Sequence, residues 1–271
     1  MARRNPKPPR QPKPGTSRRR RRRGDPGPIL RVLSVLLAAV AIVSALTLFF
    51  KVDQVVVSGN SRYTADEILA VTGVQQGDNL ILLDKYGIAK KLYTKLPYIT
   101  DVQMRRKLPD VLMVEVTETR AAAAVKGAGA WWLIAPSGKI LEPCSEEAAQ
   151  GYARLENMTP VVLAVGERVE LSEECPLTGE RLLELLGELE ERGLLDGVDS
   201  IDAGSREILV LYYDGRFRVE MYYDADFTFK LSCLEGTLSQ LQPNESGTIR
   251  MTMKDDNEVR FIPDYAYGNN G

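Results

Sequence analysis

The spacing of hydrophobic residues changes twice along the chain and predicts three regions. Residues 1–28 show no apolar period, whereas 19 residues from Val32 to Phe50 carry no charge. A helix of that length spans about 28 Å, which is enough to cross the hydrocarbon core of a bilayer. We therefore predict a transmembrane helix over residues 29–50. A cleaved signal peptide is the alternative, because small residues within the run resemble a cleavage site.

After residue 50 the pattern alternates between strand and helix spacing. Thr64 and Glu67 fit a capping box that begins one helix, and Asp84 can cap a second helix whose apolar residues fall four apart. The predicted order is β-α-α-β-β, an α+β unit over residues 51–120. Its predicted elements are a strand over 51–58, helices over 65–71 and 84–96, and strands over 99–105 and 112–117.

Residues 121–263 show mostly strand spacing and predict a mixed, β-rich domain. Asp214-Gly215 between apolar runs indicates a hairpin, and leucines at helical spacing predict a helix over 180–192 that ends at Gly193. Residues 142–156 are acidic without a clear period and predict a loose loop or insertion. The other predictions are a hairpin over 131–141, a short buried strand over 161–165, strands over 198–203, 207–213 and 216–223, a helix over 225–241 with Phe229, Leu234, Leu238 and Leu241 on or near one face, a last hairpin formed by 248–253 and 258–262, and a polar tail over 264–271.

Charge is divided unevenly between these regions. Residues 1–28 hold 11 basic side chains and one acidic side chain, whereas the rest of the chain holds 24 basic and 36 acidic side chains. The first segment is rich in proline and arginine and predicts a disordered basic tail. Such a tail stays in the cytoplasm, so the residues after the predicted helix are expected outside the cell. No structured element accompanies the arginine run, and we expect no nucleic-acid partner.

The composition excludes most catalytic chemistry. The chain has no histidine and no phosphate-binding glycine loop or nucleophile motif, so we expect no enzyme activity, no metal site and no cofactor. Asp224 and Asp226 are better explained as helix caps than as a carboxylate pair. Of the three cysteines, Cys144 and Cys175 can pair outside the cell, while Cys233 lies in a predicted apolar helix and favours a buried free thiol.

Several short motifs resemble one family. They occur in the order and spacing seen in the POTRA domain of the bacterial cell-division proteins FtsQ and DivIB, immediately after a single membrane anchor. The family often has Glu-Arg and a proline after the last strand of this domain, whereas this chain has Thr119-Arg120-Ala121. The resemblance covers about residues 29–263. The motifs are Val57-Ser58-Gly59-Asn60, Gly77-Asp78-Asn79-Leu80, Leu96-Pro97-Tyr98-Ile99, and the stretch RRKLPDVL over 105–112 followed by VEVTE over 114–118.

The resemblance implies a non-catalytic, single-pass type II membrane protein of the division septum, inserted in the bilayer through residues 29–50. It would support septal peptidoglycan synthesis by binding other divisome proteins, among them the bitopic FtsB/DivIC-like and FtsL-like proteins. By position in the family, those partners would bind the last hairpin by strand addition. The alternative for Val259 and Phe261 is a role in the core. The candidate partner-binding residues are Thr248, Ile249, Arg250, Met251, Glu258, Val259, Arg260 and Phe261.

A second function uses the same edge-strand chemistry. A membrane-anchored POTRA-type chaperone or secretion component would bind extended polypeptides rather than division proteins. No β-barrel pattern follows the POTRA-like unit, so we place this alternative below the division scaffold.

Overall fold

The computed structural model describes residues 27–252 and 259–264, and the chain divides into two units at Phe50. The first unit contains helix α1, Gly27–Phe49, whose described side chains are mostly exposed. Among the described residues, no helix has the length and apolar character that crossing a bilayer requires. The transmembrane helix over 29–50 therefore stays a prediction. The predicted tails over 1–28 and 264–271 lie almost entirely outside the described residues.

The second unit begins with a three-stranded sheet covered by two helices. The strand order is β1-β3-β2, with β1 parallel and β2 antiparallel to the central β3. The predicted order β-α-α-β-β is confirmed. Ile68, Leu92 and Leu112 form the centre of its core and are fully buried. The elements are β1 (Gln54–Ser58), α2 (Ala65–Thr72), α3 (Lys85–Lys95), β2 (Ile99–Lys107) and β3 (Val111–Glu118).

Helix boundaries in this sheet-and-helix unit follow the predicted caps. The Thr64 hydroxyl accepts from the Glu67 N–H and the Glu67 carboxylate accepts from the Thr64 N–H, which is the expected capping box. Gly73 ends α2 in the left-handed conformation, at φ 70°. Asp84 accepts from the Gly87 N–H and begins α3. Both predicted helix starts are confirmed.

Most of the remaining described residues form a nine-stranded sheet, with its two longer helices on one face and a short helix on the other. The order is β14-β13-β12-β11-β10-β7-β4-β5-β6, and a separate two-stranded ribbon pairs β8 with β9. The strands are β4 (Ala123–Gly127), β5 (Ala130–Ile134), β6 (Ile140–Cys144), β7 (Ala153–Glu156), β8 (Pro160–Val162), β9 (Glu170–Leu171), β10 (Val198–Asp202), β11 (Ile208–Tyr213), β12 (Phe217–Tyr222), β13 (Gly247–Arg250) and β14 (Arg260–Pro263). The helices are α4 (Glu146–Ala149), α5 (Gly179–Glu191) and α6 (Phe227–Leu238).

Helices α5 and α6 pack on the same face of this sheet and build its main core. Leu182, Leu185, Leu186 and Leu189 of α5 are fully buried, as their helical spacing predicts. The hairpin at Asp214-Gly215 is confirmed, since both residues have positive φ and join β11 to β12.

Two segments of the sheet differ from their predictions. Strand β4 is central but was not predicted, because alanine, which has low strand propensity, and glycine make up three of its five residues. The small side chains fit here because both faces of the strand are covered, Ala123 by the helical side and Ala124 by the side towards the POTRA-like unit. The loose loop predicted over 142–156 is wrong, since it contains α4 and the central strand β7. Strand β7 has four residues and two inward apolar side chains, too few to establish a period.

Two predicted burial patterns are also wrong. The buried strand over 161–165 is instead part of the β8–β9 ribbon, where Val161 is 65% exposed because the ribbon lies outside the large sheet. On the predicted face of α6, Leu234, Leu238 and Leu241 contact the main core, but Phe229 is 37% exposed. The cap at Asp226 sets the helix so that Phe227, Leu231 and Leu234 occupy the buried row.

The three cysteines are free thiols, so the Cys144–Cys175 pair does not form in this structure. Burial raises the pKa of both thiols, which disfavours the reactive thiolate form. Cys233 packs against the main core from α6. None of the three is placed as a nucleophile.

The POTRA-like unit packs against the β4-β5-β6 end of the large sheet. Tyr98 is buried in a small core shared with Ala124, Trp131 and Leu133. Its hydroxyl donates to the Glu142 carboxylate at 2.7 Å. Burial, then this hydrogen bond, raises the pKa of Tyr98, so the phenol stays protonated.

Cationic side chains reinforce this junction. The Arg62 guanidinium stacks 3.7 Å from the Tyr98 ring centre and pairs with Glu142 at 3.0 Å. Lys139, which lies just before β6, donates to the Ile99 carbonyl at 3.0 Å, and burial lowers the pKa of its ammonium. The two parts of the second unit are therefore joined by both apolar and polar contacts.

Candidate functional site

Strand β14 is the terminal strand of the large sheet among the described strands. It pairs antiparallel with β13, with Thr248 opposite Ile262 and Arg250 opposite Arg260. The Gly247 N–H donates to the Arg216 carbonyl, in the turn before β12. The backbone N–H and C=O groups of odd-numbered residues of β13 therefore point to β12, and those of even-numbered residues point to β14. By the register, the backbone of Phe261 then faces away from β13. The structure therefore places an edge where a partner strand can add.

Proline limits the length of this edge. Pro263 ends β14 and carries no N–H, so it cannot donate to an added strand. The outward donors are those of Phe261 and, by the same alternation, of Val259. An added strand would thus be held over the first part of β14 rather than its end.

The candidate residues fall into three groups. Ile249 and Met251 are fully buried and support the hairpin from inside. Val259 and Phe261 are partly buried and pack against the main core, where the Phe261 ring meets Phe217 edge-on at 6.2 Å between centres. Val259 and Phe261 therefore contribute to the core and are also partly accessible to a partner. The other members are Thr248, Arg250 and Arg260, which lie on the sheet face opposite the helices, and Glu258, which lies outside the described residues.

The sheet face beside the edge carries a charge cluster that sequence reasoning missed. Glu220 of β12 is nearly buried and pairs with Arg218 and Arg250, each at 2.9 Å. Arg260 lies opposite Arg250 in the register. The sequence does contain a signal for this cluster. Charged residues alternate with apolar ones along β12, which puts the charged side chains on one face of the sheet and the apolar side chains on the other. The cluster presents arginines next to the β14 edge.

The sheet of the POTRA-like unit has a different edge. The Val102 N–H on β2 donates to the Tyr93 hydroxyl at 3.2 Å. The Met104 carbonyl accepts from the Lys85 ammonium at 2.6 Å. Side chains of α3 therefore already occupy backbone groups that an added strand would need.

A cavity of about 780 Å³ lies at the junction between the POTRA-like unit and the large sheet. Its main cation, Arg120, donates to Glu190 and to Asp196, at 2.6 Å in each case. The hydrogen bond to Glu190 raises the pKa of Arg120, which stays charged. The polar groups of this wall are thus already paired, and Arg120 joins the two parts at the position where the family often has Glu-Arg-Pro.

No group of three or more cysteine and carboxylate side chains suited to a metal ion occurs within residues 27–252 and 259–264. Asp226 accepts from the Phe229 N–H at 3.0 Å, which confirms its role as the cap of α6. The arrangement around β14 therefore offers backbone pairing and charged contacts as its chemistry.

Comparison with known proteins adds a family to this geometry. A family model described as "POTRA domain, FtsQ-type" matches residues 50–119. Cell division protein FtsQ of Bradyrhizobium diazoefficiens is 38% identical over 94 residues, which is 35% of this chain and 27% of that protein. FtsQ of Corynebacterium glutamicum is 31% identical over 111 residues, covering 41% and 50%. FtsQ of Syntrophotalea carbinolica is 27% identical over 197 residues, covering 72% and 67%.

An FtsQ-type POTRA domain is thus matched over 70 of the 271 residues, and the chain is similar to FtsQ proteins. The matched part of the chain spans about a quarter of the length of the Bradyrhizobium relative and about half of the length of the Corynebacterium relative. The extracytoplasmic domain of DivIB from Geobacillus stearothermophilus aligns over 47% of this chain and 98% of its own, with 19% identity and a TM-score of 0.30. Similarity that weak does not bear on the fold. The POTRA domain over residues 50–119 is thus the part of this chain that the comparisons support most directly.

Proposed function

We propose that this chain is a non-catalytic scaffold of the bacterial division machinery that binds bitopic division proteins by strand addition at β14. Its domains would be a cytoplasmic tail over 1–28, a membrane anchor over 29–50, the POTRA domain over 51–120 and the β-rich domain over 121–263. FtsB/DivIC-like and FtsL-like proteins are the expected partners. Its effect on septal peptidoglycan synthesis would be indirect, through assembly of the complex.

The observation that carries the proposal is the backbone of β14. Phe261 has an outward N–H and carbonyl, and the neighbouring face supplies Arg250 and Arg260. Strand addition takes affinity from backbone hydrogen bonds and specificity from side chains beside the edge. An acidic segment next to the partner's strand would complement these arginines.

The test removes one backbone donor and keeps the side-chain shape. Val259→Pro deletes an outward N–H just before β14, and Val259→Thr is the matched control that retains it. We expect the proline variant of the full chain to bind an FtsB/DivIC-like partner up to about tenfold more weakly, as the loss of one hydrogen bond predicts. The control should bind as the wild type does. Equal binding by both folded variants would contradict strand addition at this edge.

The side-chain part of the proposal has its own test. Arg260→Glu reverses a charge beside the edge without removing a backbone donor. We expect weaker capture of the same partner and slower association at low salt. Unchanged capture would exclude Arg260 from the interface while leaving the backbone proposal in place.

The chaperone alternative is less well supported by the POTRA edge. Tyr93 and Lys85 occupy backbone groups of β2 that a bound polypeptide would use. Depletion of the protein separates the two functions: a scaffold predicts failed septation with normal export, and a chaperone predicts the reverse. A fluorescent fusion should accumulate at midcell if the division role is correct.

Membrane anchoring is supported by the 19 uncharged residues before the POTRA domain and by the basic segment ahead of them. We expect the N-terminal tail to be protected from added protease in right-side-out vesicles and the two domains after residue 50 to be digested or labelled from outside. Digestion of the tail in intact vesicles would reverse the proposed orientation.

A further inference from the structure

Three segments meet at the end of the POTRA domain where the chain enters it. Strand β1 begins there and runs parallel to β3, so the turn between β2 and β3 lies at the same end. The Asp53 N–H donates to the Asp110 carbonyl of that turn at 2.9 Å. The loop before α3 is attached beside it, since the Leu80 N–H donates to the Phe50 carbonyl at 2.9 Å.

Large apolar side chains on these segments are exposed. Leu82 is 72% exposed, Tyr86 90% and Leu108 59%. The loop holding Leu82 is held in place by its own hydrogen bonds: the Asn79 side chain accepts from the N–H groups of Ile81 and Leu82 at 2.9 and 3.0 Å. The backbone is therefore fixed in a shape that turns apolar side chains towards the outside.

Cations surround these apolar side chains. Lys51, Arg105, Arg106 and Lys107 are exposed at this end, and Lys85 is partly exposed. The Arg106 guanidinium donates to the Leu83 carbonyl at 3.2 Å, which connects the basic end of β2 to the apolar loop. The acidic side chains here are fewer, and three have local roles: Asp84 caps α3, Asp53 accepts from Gln76, and Asp78 accepts from the Gln75 N–H. Asp110 is the fourth.

We propose that this basal surface, formed by Leu82, Tyr86, Leu108, Arg106 and Lys107, rests on an anionic lipid bilayer. Tyrosine and leucine with neighbouring lysine and arginine suit the membrane interface, where apolar groups enter the headgroup layer and cations meet lipid phosphates. The surface also continues from Phe50, the last residue of the apolar run. This inference rests on the proposed anchoring and adds a contact that holds the POTRA domain against the membrane.

The test measures the depth of one residue in lipid. Full-length protein carrying Leu82→Trp is reconstituted in vesicles of phosphatidylglycerol and phosphatidylcholine that contain dibromo-phosphatidylcholine as quencher. The control is Val161→Trp, which places the same probe at an exposed position of the β8–β9 ribbon. Both variants carry the same background from Trp131 and Trp132. We expect strong quenching of the probe at residue 82 and none at residue 161.

Charge reversal then tests the lipid chemistry. Lys107→Glu in the Leu82→Trp background should reduce quenching at least twofold, whereas Lys90→Glu, on the exposed side of α3, should not. Raising the salt or using phosphatidylcholine alone should have the same effect as Lys107→Glu. Equal quenching at residues 82 and 161 would overturn the proposal, as would quenching indifferent to lipid charge. A partner protein on this surface would also leave residue 82 unquenched.

Vesicle flotation and midcell localisation keep this test separate from the proposed function. A chain that floats with vesicles and reaches midcell without quenching at residue 82 retains its anchor and role but lacks this contact. A chain that does not float has lost the anchor itself.

Discussion

The two sheets of the second unit differ in how their edges are treated. On β2 of the POTRA domain, Tyr93 and Lys85 already bond to the outward backbone groups of Val102 and Met104. On β14 of the large sheet, the outward backbone of Phe261 has no strand beside it among the described residues. An unpaired edge invites pairing with another chain, and proteins commonly cover it. The contrast between β2 and β14 supports our proposal that a partner strand adds at β14.

The largest effect is expected from a substitution that disrupts the pairing of β14 with β13. A Cβ on Gly247 would overlap the Ile262 carbonyl oxygen and lie 2.8 Å from the Pro263 Cα, both backbone atoms of β14. Gly247→Ala should therefore separate β14 from β13 and lower the free energy of unfolding by about 3 kcal/mol. Chemical denaturation and amide exchange over 259–264 measure this. Gly236→Ala, at a position of α6 with open space for a Cβ, controls for a general glycine effect. Normal protection of β14 in Gly247→Ala would mean that close approach does not govern this pairing.

The next effect concerns the POTRA domain alone. The Glu118 carboxylate accepts from the backbone N–H groups of Ser61, Arg62 and Tyr63, which lie in the loop between β1 and α2. Loss of these charged hydrogen bonds in Glu118→Gln should cost about 2 kcal/mol. Urea unfolding monitored by a POTRA-specific probe gives the value. A matched change at exposed Glu115→Gln should have little effect.

The same carboxylate predicts a pH dependence. Burial raises the pKa of Glu118, but the backbone N–H groups of Arg62 and Ser61 outweigh burial and hold it below its ordinary value of 4.5. A carboxyl with a depressed pKa stabilises the fold above that ordinary value, and this stabilisation is lost as pH falls through the depressed pKa. The stability gap between wild type and Glu118→Gln should thus be largest near neutral pH and close in acid. A gap independent of pH would contradict the assignment.

A smaller effect is expected when the outward backbone of β2 loses one of its side-chain partners. Tyr93→Phe removes the acceptor of the Val102 N–H and should lower the free energy of unfolding by about 1 kcal/mol. It should also let β2 bind extended peptides that the wild type does not bind. Peptide binding by fluorescence anisotropy tests this, with Tyr86→Phe as the control at an exposed tyrosine. Equal peptide binding by wild type and Tyr93→Phe would show that this cap does not protect the edge.

The smallest effect has the opposite sign. Gly187 lies inside α5 and has open space in the direction in which a side chain would point, because no heavy atom comes within 4 Å of the position that a Cβ would take. Gly187→Ala should stabilise the large domain by about 0.5–1 kcal/mol. Partner capture should not change, since α5 lies on the face away from the edge-side arginines. A change in capture would mean that α5 contributes to the binding site.

Local signals in the sequence determined much of the POTRA domain. The capping box at Thr64 and the cap at Asp84 act within a few residues, as does the hairpin glycine at 215 in the large domain, so the chain itself specifies them. Strand β4 shows the opposite case. Its alanines favour no strand on their own and become one only because β5 and β7 lie on either side.

The candidate site divides in the same way. The sequence alone determined that a hairpin ends the large domain and that Arg250, Arg260 and Phe261 belong to it. Only the tertiary structure decided that β14 is at an edge, that Ile249 and Met251 are inaccessible, and that Glu220 joins Arg218 to Arg250. The reason is physical: hairpins and caps depend on neighbours in the chain, whereas strand order, burial and charge pairing depend on residues brought together from distant positions.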